Sequence, residues 1–288
     1  METQSQGKRQ SFQFEDQHLG QIPVLWTDAK KQPDMNKVII VIPIYRPFTE
    51  TEKKSFEQGL KILGKYDINL LHPHRLDISN IIRSYSDKAQ LSETAIDDCN
   101  FTSIQSYSDL LLTTEFYDLY SDYDYMLIYQ LDAWVFRDEL QMWVDKGYDY
   151  IGAPWIPTEY WWKRTWGMLV QSIRKLFPVN VCRIPHGMKY FAVGNGGFSL
   201  RKISTIRQIT VDDREIIDKC RYYEDWYISQ VASRTHSIRI PDYHEALKFS
   251  FEQSLKHCWS LNRHELPFGC HYWSNPKKYA RFWHRFIK

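Results

Sequence analysis

No apolar run in this 288-residue chain approaches the ~18–20 residues that a membrane-spanning helix needs. The stretch from Met1 to Asp16 is polar and charged and lacks an apolar h-region, so no secretory signal is visible. The five cysteines, Cys99, Cys182, Cys220, Cys258 and Cys270, are odd in number, dispersed, and form no CxxC pair. That spacing speaks against a structural zinc site and fits a reducing compartment. The formal net charge is only +2, without the basic excess of a dedicated nucleic-acid binder. Internal repeats and low-complexity linkers are absent. These absences lead us to expect a cytoplasmic protein of one large domain or two small ones, long enough to bury a core.

Aromatic residues are what the chain has in excess: 16%, as 11 Trp, 19 Tyr and 15 Phe. Such side chains fill cores, and they also stack on sugars, bases and interfacial lipid. Residues 160–177 interleave Trp161, Trp162 and Trp166 with Lys163, Arg164, Arg174 and Lys175. The tail 277–288 does the same with Tyr279, Phe282, Trp283 and Phe286 among Lys277, Lys278, Arg281, Arg285 and Lys288. Each is read either as a surface helix docking its aromatics or as a membrane-surface contact, the latter making the protein peripheral at the inner face of the membrane.

Periodicity gives the order of elements. The β-branched run from Val38 to Ile44 predicts a buried first strand that ends at Tyr45-Arg46-Pro47. Thr49 and Glu52 form a capping-box pattern opening a helix to about Leu63, with Gly64 as its stop. Ile68–His72 reads as a second strand, Ser106–Tyr120 as an amphipathic helix, and Tyr125–Phe136 as a central buried strand. Tyr148–Trp155 is a further strand. Ser237–Ile240 and Ala246–Phe251 have strand composition. Strands alternating with helices point to an α/β domain with a mostly parallel central sheet flanked by helices. We divide the chain into an N-terminal extension (1–36), one catalytic-type domain (37–276) and the basic aromatic tail (277–288).

Four pieces carry polar groups that their apolar surroundings do not need. Gln130 and Asp132 stand two apart near the end of the central strand, the end at which open α/β sheets bind ligands. Gly194, Gly196 and Gly197 lie between two apolar stretches, where glycine allows close backbone approach, and the pattern is neither a P-loop nor GxGxxG. Glu224-Asp225 sits among Tyr222, Tyr223, Trp226 and Tyr227. Adjacent carboxylates in such a setting raise one another's pKa, which suits a general base, while the acidic pair also suits a helix N-terminus. His271 stands in a Gly-Cys-His-Tyr-Trp turn. It reads either as a structural histidine or, together with Asp132, as part of an oxygen and nitrogen donor set for Mn²⁺ or Mg²⁺ whose other ligands a diphosphate supplies.

Taken in order, these pieces resemble a family. Val41-Ile-Pro-Ile-Tyr45, Ser106-Tyr-Ser-Asp-Leu-Leu-Leu112, Leu127-Ile-Tyr-Gln-Leu-Asp-Ala-Trp-Val-Phe136, Tyr148-Asp-Tyr-Ile-Gly-Ala-Pro-Trp155, Gly194-Asn-Gly-Gly-Phe-Ser-Leu-Arg201, Glu224-Asp225 and Pro267-Phe-Gly-Cys-His-Tyr-Trp273 look like a bacterial family of glycosyltransferase-like proteins labelled a domain of unknown function. That family is similar in turn to nucleotide-sugar transferases of the GT-A fold. The resemblance runs from about Val38 to Trp273. It implies a sugar moved from a nucleotide-sugar donor to a glycan or lipid-linked glycan acceptor in surface polysaccharide or glycoconjugate synthesis, with inversion and with a divalent cation.

The same resemblance places residues. Gln130-Leu131-Asp132 matches the Asp-x-Asp motif with its first Asp replaced, so Asp132 meets the metal and Gln130 supplies no charge. Pro43, Tyr45 and Arg46 match the nucleotide site, Gly196 and Gly197 the sugar wall, and His271 an additional metal ligand. Glu224-Asp225 matches the base position, with Asp225 favoured over Glu224. Arg46 or Arg201 would add positive charge beside the diphosphate. Two alternatives stand beside this one: a nucleotidyltransferase on a similar sheet, disfavoured by the glycine-poor Tyr45-Arg46-Pro47, and a non-catalytic glycan-binding relative, supported by Gln130.

Overall fold

Val38–Pro43 forms strand β1, and all six residues are buried. Ile40 and Ile42 face one core cluster while Ile39 and Val41 face another, as the twofold side-chain period of a strand dictates. A strand buried on both faces needs a helix layer on each side. Helix α1 (Glu50–Leu63) covers the first face. Its capping box is formed as the sequence predicts, with Thr49 accepting from the Glu52 amide and the Glu52 side chain returning to Thr49. Strand β2 (Asp67–Pro73), helix α2 (Ser79–Tyr85), strand β3 (Leu91–Ile96), helices α3 (Ile104–Leu110) and α4 (Thr114–Asp118), and strand β4 (Tyr125–Tyr129) follow. This computed structural model describes residues 36–157, 165–166, 169, 181–184, 189–275 and 279–287.

After β4 come β5 (Trp134–Val135), α5 (Leu140–Asp145), β6 (Tyr150–Ile151) and β7 (Phe198–Lys202). The main sheet has the order β3-β2-β1-β4-β7-β6. The first four strands in that order are mutually parallel, β7 runs antiparallel to β4, and β6 antiparallel to β7. The result is a mixed α/β domain with a central sheet flanked by helices. A second, small sheet joins β5, β9 (Gly269–Cys270) and β8 (Ser250–Phe251), with β9 antiparallel to β5 and parallel to β8.

Several sequence expectations are corrected. The predicted strand 125–136 divides: β4 stops at Tyr129, residues 130–133 turn through an Ala133 N–H to Gln130 carbonyl bond of 2.8 Å, and β5 enters the other sheet. Its unbroken apolar composition hid the turn. Gln130 and Asp132 therefore sit in that turn and do not share a strand face. The predicted helix 106–120 is two short helices, because the Thr113 hydroxyl caps the second by accepting from the Phe116 amide. Ala246–Phe251 is mostly helix (Tyr243–Phe249, capped by Asp242) and only Ser250–Phe251 is strand. Strand β3 was not foreseen. Its alternating, part-exposed side chains mark an edge strand.

Cys182 and Cys220 form a disulfide, so the dispersed cysteines include a bonded pair and no longer support a reducing compartment. In the tail, Ala280–Trp283 is helical, and Trp283 and Ile287 are buried in a third core cluster with Phe282 and Phe286 against it. The N-terminal extension to residue 35 and most of 160–177 lie outside the described residues. Among the described residues, no helix is long and apolar enough to cross a membrane.

Candidate functional site

The carboxyl ends of β1 and β4 meet one end of the small sheet, and the chemistry gathers there. Asp132 stands two residues before β5, His271 immediately follows β9, and Glu252 immediately follows β8. Backbone bonds fix the three: the His271 amide donates to the Phe251 carbonyl at 2.9 Å, and the Trp273 amide to the Asp132 carbonyl at 3.1 Å. His271 Nε2 lies 2.9 Å from Asp132 Oδ1 and 3.2 Å from Gln130 Oε1. On its other edge, Nδ1 is 3.0 Å from Asn195 Nδ2 and 3.8 Å from Glu252 Oε1. Burial works against charge on His271, yet Asp132 and Glu252 outweigh it and raise its pKa to about 10. Burial likewise opposes ionisation of Asp132, and the attraction of His271 more than offsets it, leaving the carboxyl below its ordinary value.

The glycine loop is the floor of this centre, and its lack of side chains serves neighbouring protein groups. A β-carbon on Gly197 would lie 2.2 Å from His271 Nε2 and 2.7 Å from Gln130 Oε1. One on Gly196 would lie 1.9 Å from Glu224 Oε1. Real contacts are never that short, so only glycine lets Gln130, His271 and Glu224 lie against this backbone. Just before the two glycines, Asn195 takes a φ of 59° and turns its amide to His271.

Glu224 and Asp225 are adjacent in sequence and unlike in environment. Glu224 is buried, and its Oε1 lies 2.6 Å from Nη2 of Arg201, whose side chain is completely buried. Arg201 also donates to Ser199 Oγ, the Tyr117 hydroxyl and the Gly196 carbonyl. Ser108, from the Ser106-Tyr-Ser-Asp motif, holds the Glu224 amide at 2.6 Å. Arg201 is thus spent inside the protein and is not the diphosphate partner that the sequence reading allowed. Among the described residues no lysine or arginine pairs with Asp225 at contact distance. Burial first, then Glu224 and Glu252, push its pKa up to about 7. Both residues open the helix Glu224–Trp226, which continues as a π-helical turn over Tyr227–Ala232. Such π-turns recur at functional sites.

Three adjoining cavities of 470, 310 and 290 Å³ share Gln130 and Tyr272 in their walls. The first is lined by Pro43, Tyr45, Arg46 and Asp132, and the third by Gly196, Gly197, Glu224, Asp225, Glu252 and His271. Apart from Arg201, the structure therefore brings the sequence-predicted nucleotide, metal and base residues onto one cleft. Arg46 is not a free cation there, because its guanidinium makes two 2.8 Å contacts with Glu52. Glu252 was missed. Its place depends on the β8–β9 register, Phe251 opposite Cys270, which no local sequence signal announces.

For a divalent cation, Asp132, His271 and the Gln130 side-chain oxygen Oε1 converge and form a hard to borderline donor set. Among the described residues no three His, Cys, Asp or Glu side chains gather to hold an ion by themselves. An ion at this point would draw its remaining oxygen ligands from a bound molecule, and the residues fit that arrangement.

Two solved structures share the outline of the chain. Core-mannan synthase A from Aspergillus fumigatus, in its Mn/GDP form, is 10% identical with a TM-score of 0.42, covering 66% of this chain and 66% of that one, just under two thirds of its length. Mouse xyloside xylosyltransferase 1, in its apo form, is 9% identical with a TM-score of 0.49, covering 84% of this chain and 99% of that one. No curated protein matches in sequence. A family profile matches residues 90–271, a span that runs from the start of β3 to His271 and holds Gln130, Asp132, the glycine loop, Glu224, Asp225 and Glu252. The chain belongs to that family, described as "Protein of unknown function (DUF5672)".

Proposed function

We propose that the chain is a glycosyltransferase that moves a sugar from a nucleotide-sugar donor to a hydroxyl of a glycan or glycolipid acceptor by single displacement. The observation that carries this reading is the placement of Asp225. A carboxylate with its pKa raised to about 7 shares a cavity with His271, whose partner is Asp132. A base poised near neutral pH and a diphosphate-binding centre on one cleft are the two parts that glycosyl transfer requires.

Pro43 and Tyr45 line the cavity assigned to the nucleotide, together with Gln130 and Asp132. The sugar lies over Gly196 and Gly197. Asp225 accepts the proton of the acceptor hydroxyl as its oxygen bonds to the anomeric carbon. The bond from that carbon to the diphosphate oxygen breaks on the opposite face, so configuration inverts. A divalent cation held by Asp132 and His271 would neutralise charge on the departing nucleoside diphosphate. Arg46 is engaged with Glu52 and is assigned no part in the displacement. A role in surface polysaccharide or glycoconjugate synthesis rests on the sequence resemblance alone. A thermal-shift screen of nucleoside diphosphates and nucleotide sugars, with and without Mn²⁺, tests the donor half of this reading. Stabilisation by at least one Mn²⁺–nucleotide combination is expected, and none by any would refute it.

A further inference from the structure

The 290 Å³ cavity beside Asp225 has an uneven charge balance. Glu224, Asp225 and Glu252 line it, and among the described residues no lysine or arginine does. Glu224 is paired with buried Arg201, and His271 with Asp132. Asp225 and Glu252 are left without a full counter-charge. Glu252 Oε1 stands 3.8 Å from His271 Nδ1, while its Oε2 is buried and, among the described residues, has no hydrogen-bond partner. A buried acceptor of that kind is costly unless a bound molecule donates to it. Tyr107 and Ser108 also line it. The cavity volume is at the small end of the range for ligand sites, which suits a single ring.

We propose that this cavity takes the transferred sugar as an uncharged, hydroxyl-rich ring, and that Glu252 selects for it. The inference rests on the donor reading above and adds the class of sugar. A sugar hydroxyl donates to the Glu252 carboxylate, which a carboxylate-bearing sugar cannot do with its acid group. A uronate also brings a negative charge toward Asp225 and Glu252, and among the described residues no lysine or arginine lines the cavity to receive it. Repulsion between unit charges a few ångströms apart in a partly buried site amounts to ~100-fold in affinity.

The test is calorimetric, on the full chain with Mn²⁺. UDP-glucose is compared with UDP-glucuronate, and GDP-mannose with GDP-mannuronate; each pair differs only at C6. In the pair whose base is accepted, the uronate should bind ~100-fold more weakly. Glu252→Gln should narrow that gap about tenfold, and Glu252→Asp, which keeps the charge, should retain it. A uronate bound as tightly as its neutral partner overturns the proposal, and so does a gap unchanged in Glu252→Gln. The wild-type comparison stands even where a variant fails to fold. If UDP and GDP bind while the neutral and acidic sugars are equivalent, only this inference falls. If no nucleotide binds at all, the donor reading falls with it.

Discussion

Arg201 and Glu224 form an ion pair 2.6 Å long with the arginine side chain wholly buried, and this pair separates the roles of two adjacent carboxylates. Removing one partner of such a pair leaves an uncompensated buried charge, which costs on the order of 3–5 kcal/mol. Glu224→Gln should therefore lower stability by about that much, read from the denaturation midpoint. Asp225→Asn should keep the fold and donor affinity while transfer falls by at least ~100-fold, the usual contribution of a general base. Should Glu224→Gln fold like wild type and alone stop transfer, the two roles are exchanged.

The pH dependence follows from Asp225. The base must be ionised to accept a proton, so turnover should climb as pH rises through about 7, and a profile centred near 4 would remove Asp225 from that role. Stability runs the other way. The folded-state pKa lies above the unfolded one, so the neutral carboxyl favours the fold. That contribution is complete below the ordinary Asp value of 3.8 and is lost as pH climbs through about 7. Thermal melts of Asp225→Asn should accordingly gain most over wild type near pH 8 and least near pH 4.

Gly197→Ala tests the floor. Its added carbon collides with His271 Nε2 and Gln130 Oε1, and His271 is pinned by Asp132 and its backbone. Overpacking of this kind costs typically about 1–3 kcal/mol and displaces the groups it meets. Calorimetry should show nucleoside diphosphate affinity reduced by about tenfold or more. Wild-type affinity in the alanine variant would mean that His271 and Gln130 do not contact the donor.

Chelation tests the cation. Donor affinity should fall on adding EDTA and return with Mn²⁺ in the wild type. Asp132→Ala and His271→Ala should each bind the donor weakly whether or not Mn²⁺ is present. Affinity that ignores EDTA in wild type would take Asp132 and His271 out of a metal role.

Much of this was legible in the sequence because the signals are local. The β-branched run of β1, the Thr49–Glu52 capping box and the polar groups at 130, 132, 224, 225 and 271 each stand out from their neighbours. What escaped is non-local. Arg201 meets Glu224 across 23 residues, and Glu252 reaches His271 only through the pairing of two-residue strands. The turn at 130–133 escaped because Leu131 and Ala133 are as apolar as the strands on either side. The glycine loop was recognised, but its reason was not: what approaches Gly196 and Gly197 most closely is Glu224, Gln130 and His271.

Single displacement driven by Asp225 is the central claim, and proton NMR of the donor reaction with water as acceptor addresses it directly. An α-linked nucleotide sugar should release the β-anomer first, before mutarotation, and Asp225→Asn should release neither anomer at a comparable rate. First release of the α-anomer, or undiminished release by Asp225→Asn, would contradict the account.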